Sequence, residues 1–370
     1  MLAPYTLLSC AISADGCLDD ASPGRLILSG PEDLDAVDEL RSTVDAILIG
    51  AGTVRADDSR LLIRSQTRQK ARTERGLPAH PRRVTLTAND DLDPDAHIFT
   101  GPGAPPLVYC PPLVAERLRT RLGDRAEVVG LGHPLTLRTI LADLAERRVR
   151  RLLIEGGAQV LAQALQAGIA DELRLAVAPF FVGDPAAPRF APPGTYQSGP
   201  ATPMTLATAD RLGPVTVARY LLGPGGADRR FLAWAIELSR LCPPSQTAFS
   251  VGAVIVSADG EVLSTGYSRE LDPHDHAEEV ALRKLGPDPR LAGATLYSSL
   301  IPCGARASRE VTCVRHTVAA DISRVVYAWD EPPVFAPGDG GDQLRAAGVE
   351  VIQIPDLAPR AAEVNEHLID

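Results

Sequence analysis

Three glycines and a proline fall within four positions at Gly223, Pro224, Gly225 and Gly226. A strand-like apolar run, VTVARYLL, leads into them, and an amphipathic, helix-like run, FLAWAIELSRL, follows. Neither a period of 2 nor a period of 3.6 survives such a cluster, so regular structure has to stop and restart there. The chain is thereby divided into a domain over residues 1–222, a linker over 223–227 and a domain over 228–370. Its 370 residues suit two domains at the usual ~150 residues each.

Short buried-strand patterns alternate with helical ones ahead of the linker, as in α/β proteins. VDAILIG (44–50), RRVTLT (82–87), PLVYC (106–110), AEVVGL (126–131) and RRLLIE (150–155) read as strands. LDAVDELRSTV, VAERLRTRL and LRTILADLAERR read as helices, the first with Pro31 and acidic residues at its start. The polar stretch from Arg64 to Arg83 reads as a surface loop. Beyond the linker, the pattern predicts a helix over 228–242 and then a hairpin of VGAVIVS and EVLSTGYS turned by Ala-Asp-Gly. A helix over 277–285, a strand ATLYSSL, a cysteine-bearing loop and a final strand–helix–strand follow.

Composition narrows the function. A net charge of -10 without any basic run excludes a nucleic-acid surface. No apolar run reaches the ~18 residues of a membrane span, and the N-terminal MLAPYTLLSCAISADG reads as a core strand, not a signal peptide. A cytosolic location follows, in which the six cysteines are free thiols. Cys10, Cys17 and Cys110 lie in or beside apolar runs and read as buried core thiols. Cys303 and Cys313 are different, because the stretch IPCGARASREVTC that holds them is polar.

Upstream of that pair, HDHAEEVAL (274–282) places His276 and Glu278 at the start of a helix. H-x-E followed by P-C and a further Cys is the signature of zinc-dependent nucleobase deaminases. One imidazole and two thiolates leave the fourth tetrahedral position of zinc open for water. Zinc lowers that water's pKa from about 15.7 toward ~7, and a carboxylate outside the ligand set must then move protons. His276 and Glu278 are two residues apart and would diverge in mid-helix; they can converge only at a helix start, which Pro273 favours. His274 reads as a solvated loop residue and Glu279 as an exposed helix carboxylate.

Residues 228–355 resemble the deaminase domain of the bifunctional riboflavin-biosynthesis deaminase/reductases, within the cytidine deaminase-like superfamily. That family carries a cysteine spacing longer than C-x-x-C. The resemblance implies an α/β/α domain with His276, Cys303 and Cys313 as zinc ligands and Glu278 as proton shuttle. It also implies a substrate, a diaminopyrimidinone bearing a ribosylamino 5′-phosphate, which loses its ring 2-amino group. The chain departs from the family where base and phosphate are read. Thr247-Ala248-Phe249-Ser250 replaces Pro-Asn-Pro, Ile301 replaces an acid, and Arg306, Ser308 and Arg309 stand where histidines are common. The two loop arginines either hold the substrate phosphate or face solvent.

In the first domain VDAILIG runs into GAGTVRADDSRLLIR (50–64), and IEGGAQVLAQAL (154–165) sets a second glycine pair between strand and helix. Such turns let a dinucleotide phosphate approach the backbone, although the third glycine of G-x-G-x-x-G is missing. With SADG, ILSGPEDL and ADDSRL in this order, residues 3–221 resemble the riboflavin-pathway reductase. The resemblance implies a dihydrofolate reductase-like fold and NADPH. By position, Thr53, Asp57, Gly157, Ala158, Gln159, Val160 and Leu161 correspond to cofactor contacts, and Arg41, Leu61, Arg64 and Glu155 to substrate contacts. Guanidinium groups suit a sugar phosphate through paired charge-assisted hydrogen bonds. Asp58 reads as structural. Ile27 replaces a tryptophan that often lies against the cofactor.

The implied whole is an α/β enzyme with both activities, the reductase preceding the deaminase, acting on a small phosphorylated pyrimidine as a homodimer joined through the reductase sheet. The lost Pro-Asn-Pro leaves open a related enzyme acting on another aminopyrimidine or purine-like base. A purely structural zinc would not require Glu278.

Overall fold

The computed structural model describes residues 3–369 except 21, 23, 25, 133, 224, 307 and 333–338. It separates into two units, with the division between residues 223 and 224; Pro224 of the expected linker lies outside the described residues.

The first unit is built on a nine-stranded sheet. Its strands are β1 (Tyr5–Ser13), β2 (Ala46–Gly50), β3 (Arg82–Leu86), β4 (Leu107–Cys110), β5 (Glu127–Gly130), β6 (Arg151–Gly156), β7 (Glu172–Ala178), β8 (Thr205–Leu212) and β9 (Val215–Leu221). They lie in the order β5-β4-β3-β2-β6-β1-β7-β9-β8. The ladder is parallel from β5 to β7 and antiparallel through β9 and β8. Every residue of β2 is buried, as a strand covered on both faces must be. The helices are α1 (Pro31–Ser42), α2 (Ala51–Asp57), α3 (Gln66–Glu74), α4 (His97–Thr100), α5 (Pro112–Leu122), α6 (Leu137–Glu146) and α7 (Ala158–Gln166). One core cluster gathers Leu7, Ile47 and Ile49 with Leu118 of α5, and another gathers Leu8 and Leu48 with Ile140 of α6. Alternate residues of β1 and β2 thus feed separate cores.

The reading of residues 64–83 as a surface loop is wrong. Helix α3 occupies its centre, capped by Ser65 Oγ, which accepts from the Arg68 N–H. Arg72 is buried, and its guanidinium donates to the carbonyls of Ser42, Val44 and Pro78. A buried cation that satisfies carbonyls at the end of α1 and beyond α3 leaves no apolar period to read.

The second unit adds β10 (Gly252–Val256), β11 (Val262–Tyr267), β12 (Thr295–Leu300), β13 (Arg324–Trp329) and β14 (Glu350–Gln353). Their order is β11-β10-β12-β13-β14, with the hairpin antiparallel and β12, β13 and β14 parallel. Helices α8 (Ala227–Ser239), α9 (Ala277–Leu285), α10 (Cys313–Ala319), α11 (Gly340–Ala346) and α12 (Ala358–Val364) complete it. Gly266 permits the approach that matters most: a Cβ there would lie 2.5 Å from the Ala277 carbonyl and 2.7 Å from the Ala281 nitrogen. Strand β11 therefore lies directly on the first turn of α9. Among the described residues, no helix is long and apolar enough to cross a membrane.

Candidate functional sites

His276 is the N-cap of α9, with an extended backbone (φ -90°, ψ 157°), and Glu278 lies in the first turn. The break between extended and helical backbone lets both side chains point the same way. The parallel strand β12 ends at Leu300 and delivers Cys303 three residues later, while Cys313 opens α10. The second cysteine is thus at a helix start, where the sequence had indicated only loop. The two ends of the intervening segment touch: the Val314 N–H donates to the Cys303 carbonyl at 3.3 Å.

Nδ1 of His276 lies 3.5 Å from Cys303 Sγ and 3.3 Å from Cys313 Sγ. Ligand atoms of all three residues lie within 4.8 Å of one another. Zinc–sulfur and zinc–nitrogen bonds at the tetrahedral angle require an S···N separation of ~3.6 Å, so the donor set fits zinc in both type and spacing. Both thiols are buried, despite the polar stretch around them. Cys303 is pushed down to about 4 by its hydrogen bond with Cys313, against the effect of burial, with His276 adding to the fall. Cys313 moves the other way, through that same hydrogen bond, burial and the carboxylate of Glu278. The pair holds one thiolate readily and resists a second until a cation arrives.

Glu278 is buried and accepts hydrogen bonds from Ser298 Oγ at 2.9 Å and Cys313 Sγ at 3.3 Å. Burial raises its pKa, with the neighbouring His276 opposing. A raised carboxyl close to a nucleophilic site is suited to carrying protons. Two further groups belong here that the sequence reading missed. Ser298 is a polar residue inside the buried strand β12. Glu331, two residues past β13, is pushed up to about 7 by burial and by the charge of Cys303. Its position offered a signal, since sites collect at the carboxyl ends of parallel strands.

Two expectations fail at this site. Glu279 is buried, not exposed, and is ion-paired to Arg283, Arg306 and Arg309. The side chain of Arg306 is buried and that of Arg309 half-buried, and neither stands free for a phosphate, because both are engaged with acids of the α9 turn. His274 is exposed, as expected.

The first unit holds a cavity of about 1220 Å³ at the carboxyl ends of its parallel strands. Thr53, Asp57 and the whole of Gly157–Leu161 line it, together with Glu155. Gly157 has φ +83°, and a Cβ there would lie 3.1 Å from Thr53 Oγ1, so the turn closes onto Thr53 only because no side chain intervenes. Of the expected substrate contacts, Arg41, Leu61 and Arg64 are not part of this lining. Arg41 is locked in a bidentate pair with Glu155, both contacts at 2.6 Å. Leu61 is a core residue, at positive φ. Arg64 is largely exposed, with Nη2 donating to the Leu34 carbonyl. Asp58 is structural: it accepts from the His97 N–H at 2.7 Å. Thr87 and Asn89, beyond β3, line the cavity and were not singled out from sequence. Ile27 is at the rim and exposed, and Cys10 is a wall thiol raised to about 12 by burial, against Arg174.

These features define a class: an α/β protein with a dinucleotide-sized cavity in one unit and a His-Cys-Cys metal centre with a buried carboxylate in the other. Comparison with known proteins sharpens this. Residues 4–218 match the RibD C-terminal domain and residues 226–329 the cytidine and deoxycytidylate deaminase zinc-binding region. The chain belongs to the RibD C-terminal domain family and carries a deaminase zinc-binding region after it. It is 33% identical over 183 residues to the 2,5-diamino-6-ribosylamino-4(3H)-pyrimidinone 5′-phosphate reductase of Archaeoglobus fulgidus, covering 49% of this chain and 83% of that one. It is 37% identical over 152 residues to the diaminohydroxyphosphoribosylamino-pyrimidine deaminase of Schizosaccharomyces pombe. That match covers 40% of this chain, and the chain spans only 37% of that relative's length. In fold, it is similar to a pyrimidine reductase-like protein from Corynebacterium diphtheriae, with a TM-score of 0.51 at 23% identity, covering 60% of this chain and 93% of that one.

Proposed function

We propose that the chain is a bifunctional enzyme of riboflavin biosynthesis. Its second unit deaminates 2,5-diamino-6-ribosylamino-4(3H)-pyrimidinone 5′-phosphate, and its first unit uses NADPH to reduce the ribosyl group to ribityl. The observation that carries the reading is the buried carboxylate of Glu278 beside the three metal donors. A structural zinc site has no use for a shuttle with a raised pKa.

His276, Cys303 and Cys313 would hold zinc, which when bound acts as a Lewis acid that makes water nucleophilic at neutral pH. Glu278 takes one proton from the attacking water and passes it to a ring nitrogen. It then takes the second from the resulting hydroxyl and passes it to the departing ammonia. Ser298 Oγ fixes one carboxylate oxygen, and the other lies beside the metal donor Cys313. In the first unit, the Gly157–Leu161 turn and Thr53 would hold NADPH, which supplies hydride to C1 of the opened sugar. Glu155 lines the cavity, and Arg41 holds its carboxylate in place.

Incubating the purified, zinc-loaded chain with the diaminopyrimidinone phosphate and NADPH should give the ribitylamino-uracil phosphate. Absence of that product would refute the proposal. The lost Pro-Asn-Pro supports a second reading, in which the deaminase unit acts on another base. Complementation of a deaminase-deficient riboflavin auxotroph excludes it.

A further inference from the structure

The segment from Cys303 to Cys313 carries two arginines, and both are engaged. Arg306, with its side chain only 3% exposed, donates to Glu279 Oε2 at 3.1 Å and to the His274 carbonyl at 2.7 Å. Arg309 reaches Glu279 Oε1 at 2.7 Å, Asp275 Oδ1 at 2.8 Å and Asp272 Oδ1 at 3.0 Å. Asp275 immediately precedes His276, and Glu279 immediately follows Glu278. The acids that receive the loop arginines therefore bracket the H-A-E turn on both sides. Arg283, on the same helix, also pairs with Asp275 and Glu279 and ties them to α9. Three arginines meet three carboxylates, so no positive charge is left over within the cluster.

We infer that Arg306 and Arg309 are positioning residues that clamp the cysteine loop onto the His276–Glu278 turn, so that the three metal donors are held together before metal arrives, and that they do not read the substrate phosphate. Among the described residues between Cys303 and Cys313 there is neither strand nor helix. Beyond the backbone contact that joins the loop's two ends, its attachment to the turn therefore falls to these side chains. Buried, geometrically matched ion pairs are costly to break from one side, since the remaining charge is stranded. The guanidinium fork adds direction: one acid engages two arginines through separate oxygens. A guanidinium committed to two or three acceptors would have to abandon them to take a phosphate. This inference rests on the zinc-deaminase reading of the same centre.

The test uses the full chain and reads the metal as well as turnover. Zinc transfer to a chromophoric chelator is timed, and the visible spectrum of the cobalt-substituted protein is recorded, for wild type, R306Q, R309Q, R306K and the control R290Q. Arg290 pairs with Asp288 and Glu261 on the surface of the same unit. R306Q and R309Q should release zinc at least tenfold faster and shift the cobalt bands, R306K should recover part of the loss, and R290Q should match wild type. If R306Q does not fold, R309Q, whose side chain is 33% exposed, carries the test alone. Wild-type release and spectra in folded variants, whether or not the KM for substrate rises, overturn the inference. Less than one zinc per wild-type chain would instead refute the deaminase reading beneath it.

Discussion

The two candidate sites differ in what they are made of. The metal centre is assembled from side chains, namely two buried thiols, a half-buried imidazole and a buried carboxylate, all arranged within a few ångströms. The cavity of the first unit is shaped by glycine turns of the backbone that follow parallel strands, and its mainly apolar walls also hold Asp19, Asp57 and Glu155. A side-chain site fails abruptly when one group is removed, whereas a backbone site degrades by degrees as its shape is altered. The same contrast separates specific donor chemistry from a shape that many sequences can produce.

Removal of one metal donor should break the comparison most sharply. Cys313→Ser should abolish zinc binding and lower deamination by at least about 10³-fold, because the Lewis acid is lost. Reduction should stay within twofold of wild type, since every residue lining the cavity lies in the first unit. Metal analysis and the two separate assays check this. Glu278→Gln is a milder insult to the same site. It should leave zinc content intact and reduce deamination by ~10²–10⁴-fold, the usual worth of a positioned proton carrier. A variant that lost its zinc as well would show the carboxylate to be part of the metal's support.

The cavity should respond by degrees. Gly157→Ala places a Cβ 3.1 Å from Thr53 Oγ1 at a backbone φ of +83°. The left-handed backbone costs about 1–2 kcal/mol, so the KM for NADPH should rise about tenfold while deamination is unchanged. An unaltered KM would mean that the turn does not touch the cofactor.

The same contrast explains what was legible in the sequence. His276, Glu278, Cys303 and Cys313 could be found because few residue types perform that chemistry and their order along the chain is diagnostic. The alternating strands were legible because both faces are buried, as in AILIG of β2. Arg72, Glu279, Arg306 and Arg309 were misread for one reason: charged residues are expected outside and unpaired, and only the fold supplies the carbonyls and opposite charges that engage them. Arg41 belongs with them, its charge directed to Glu155 and not to a ligand. Glu331 was missed because its importance comes from burial and from the charges of Cys303, His276 and Glu278, neighbours distant in sequence.

Glu331 provides the smallest and most discriminating effect. In the metal-free protein its carboxyl is pushed up to about 7, from an ordinary value near 4.5. The native state therefore binds more protons than the unfolded chain between those two values, and stability must fall as pH rises across them. Its contribution is complete below about 4.5 and gone above about 7. Glu278 and His276 are also raised and slope the same way, whereas Cys303 is lowered and opposes them. The difference between wild type and Glu331→Gln isolates the one group. Glu331 is only half-buried, and solvent screening reduces its share to about 1 kcal/mol, or ~3 °C in Tm for a unit of this size. Metal-free E331Q should therefore gain up to that much over wild type between pH 5 and 8, as read by thermal melts. Bound zinc should narrow the gap, because a nearby cation favours the ionised carboxylate and removes the reason for the shift. A gap that survives zinc loading would place Glu331 beyond the metal's electrostatic reach.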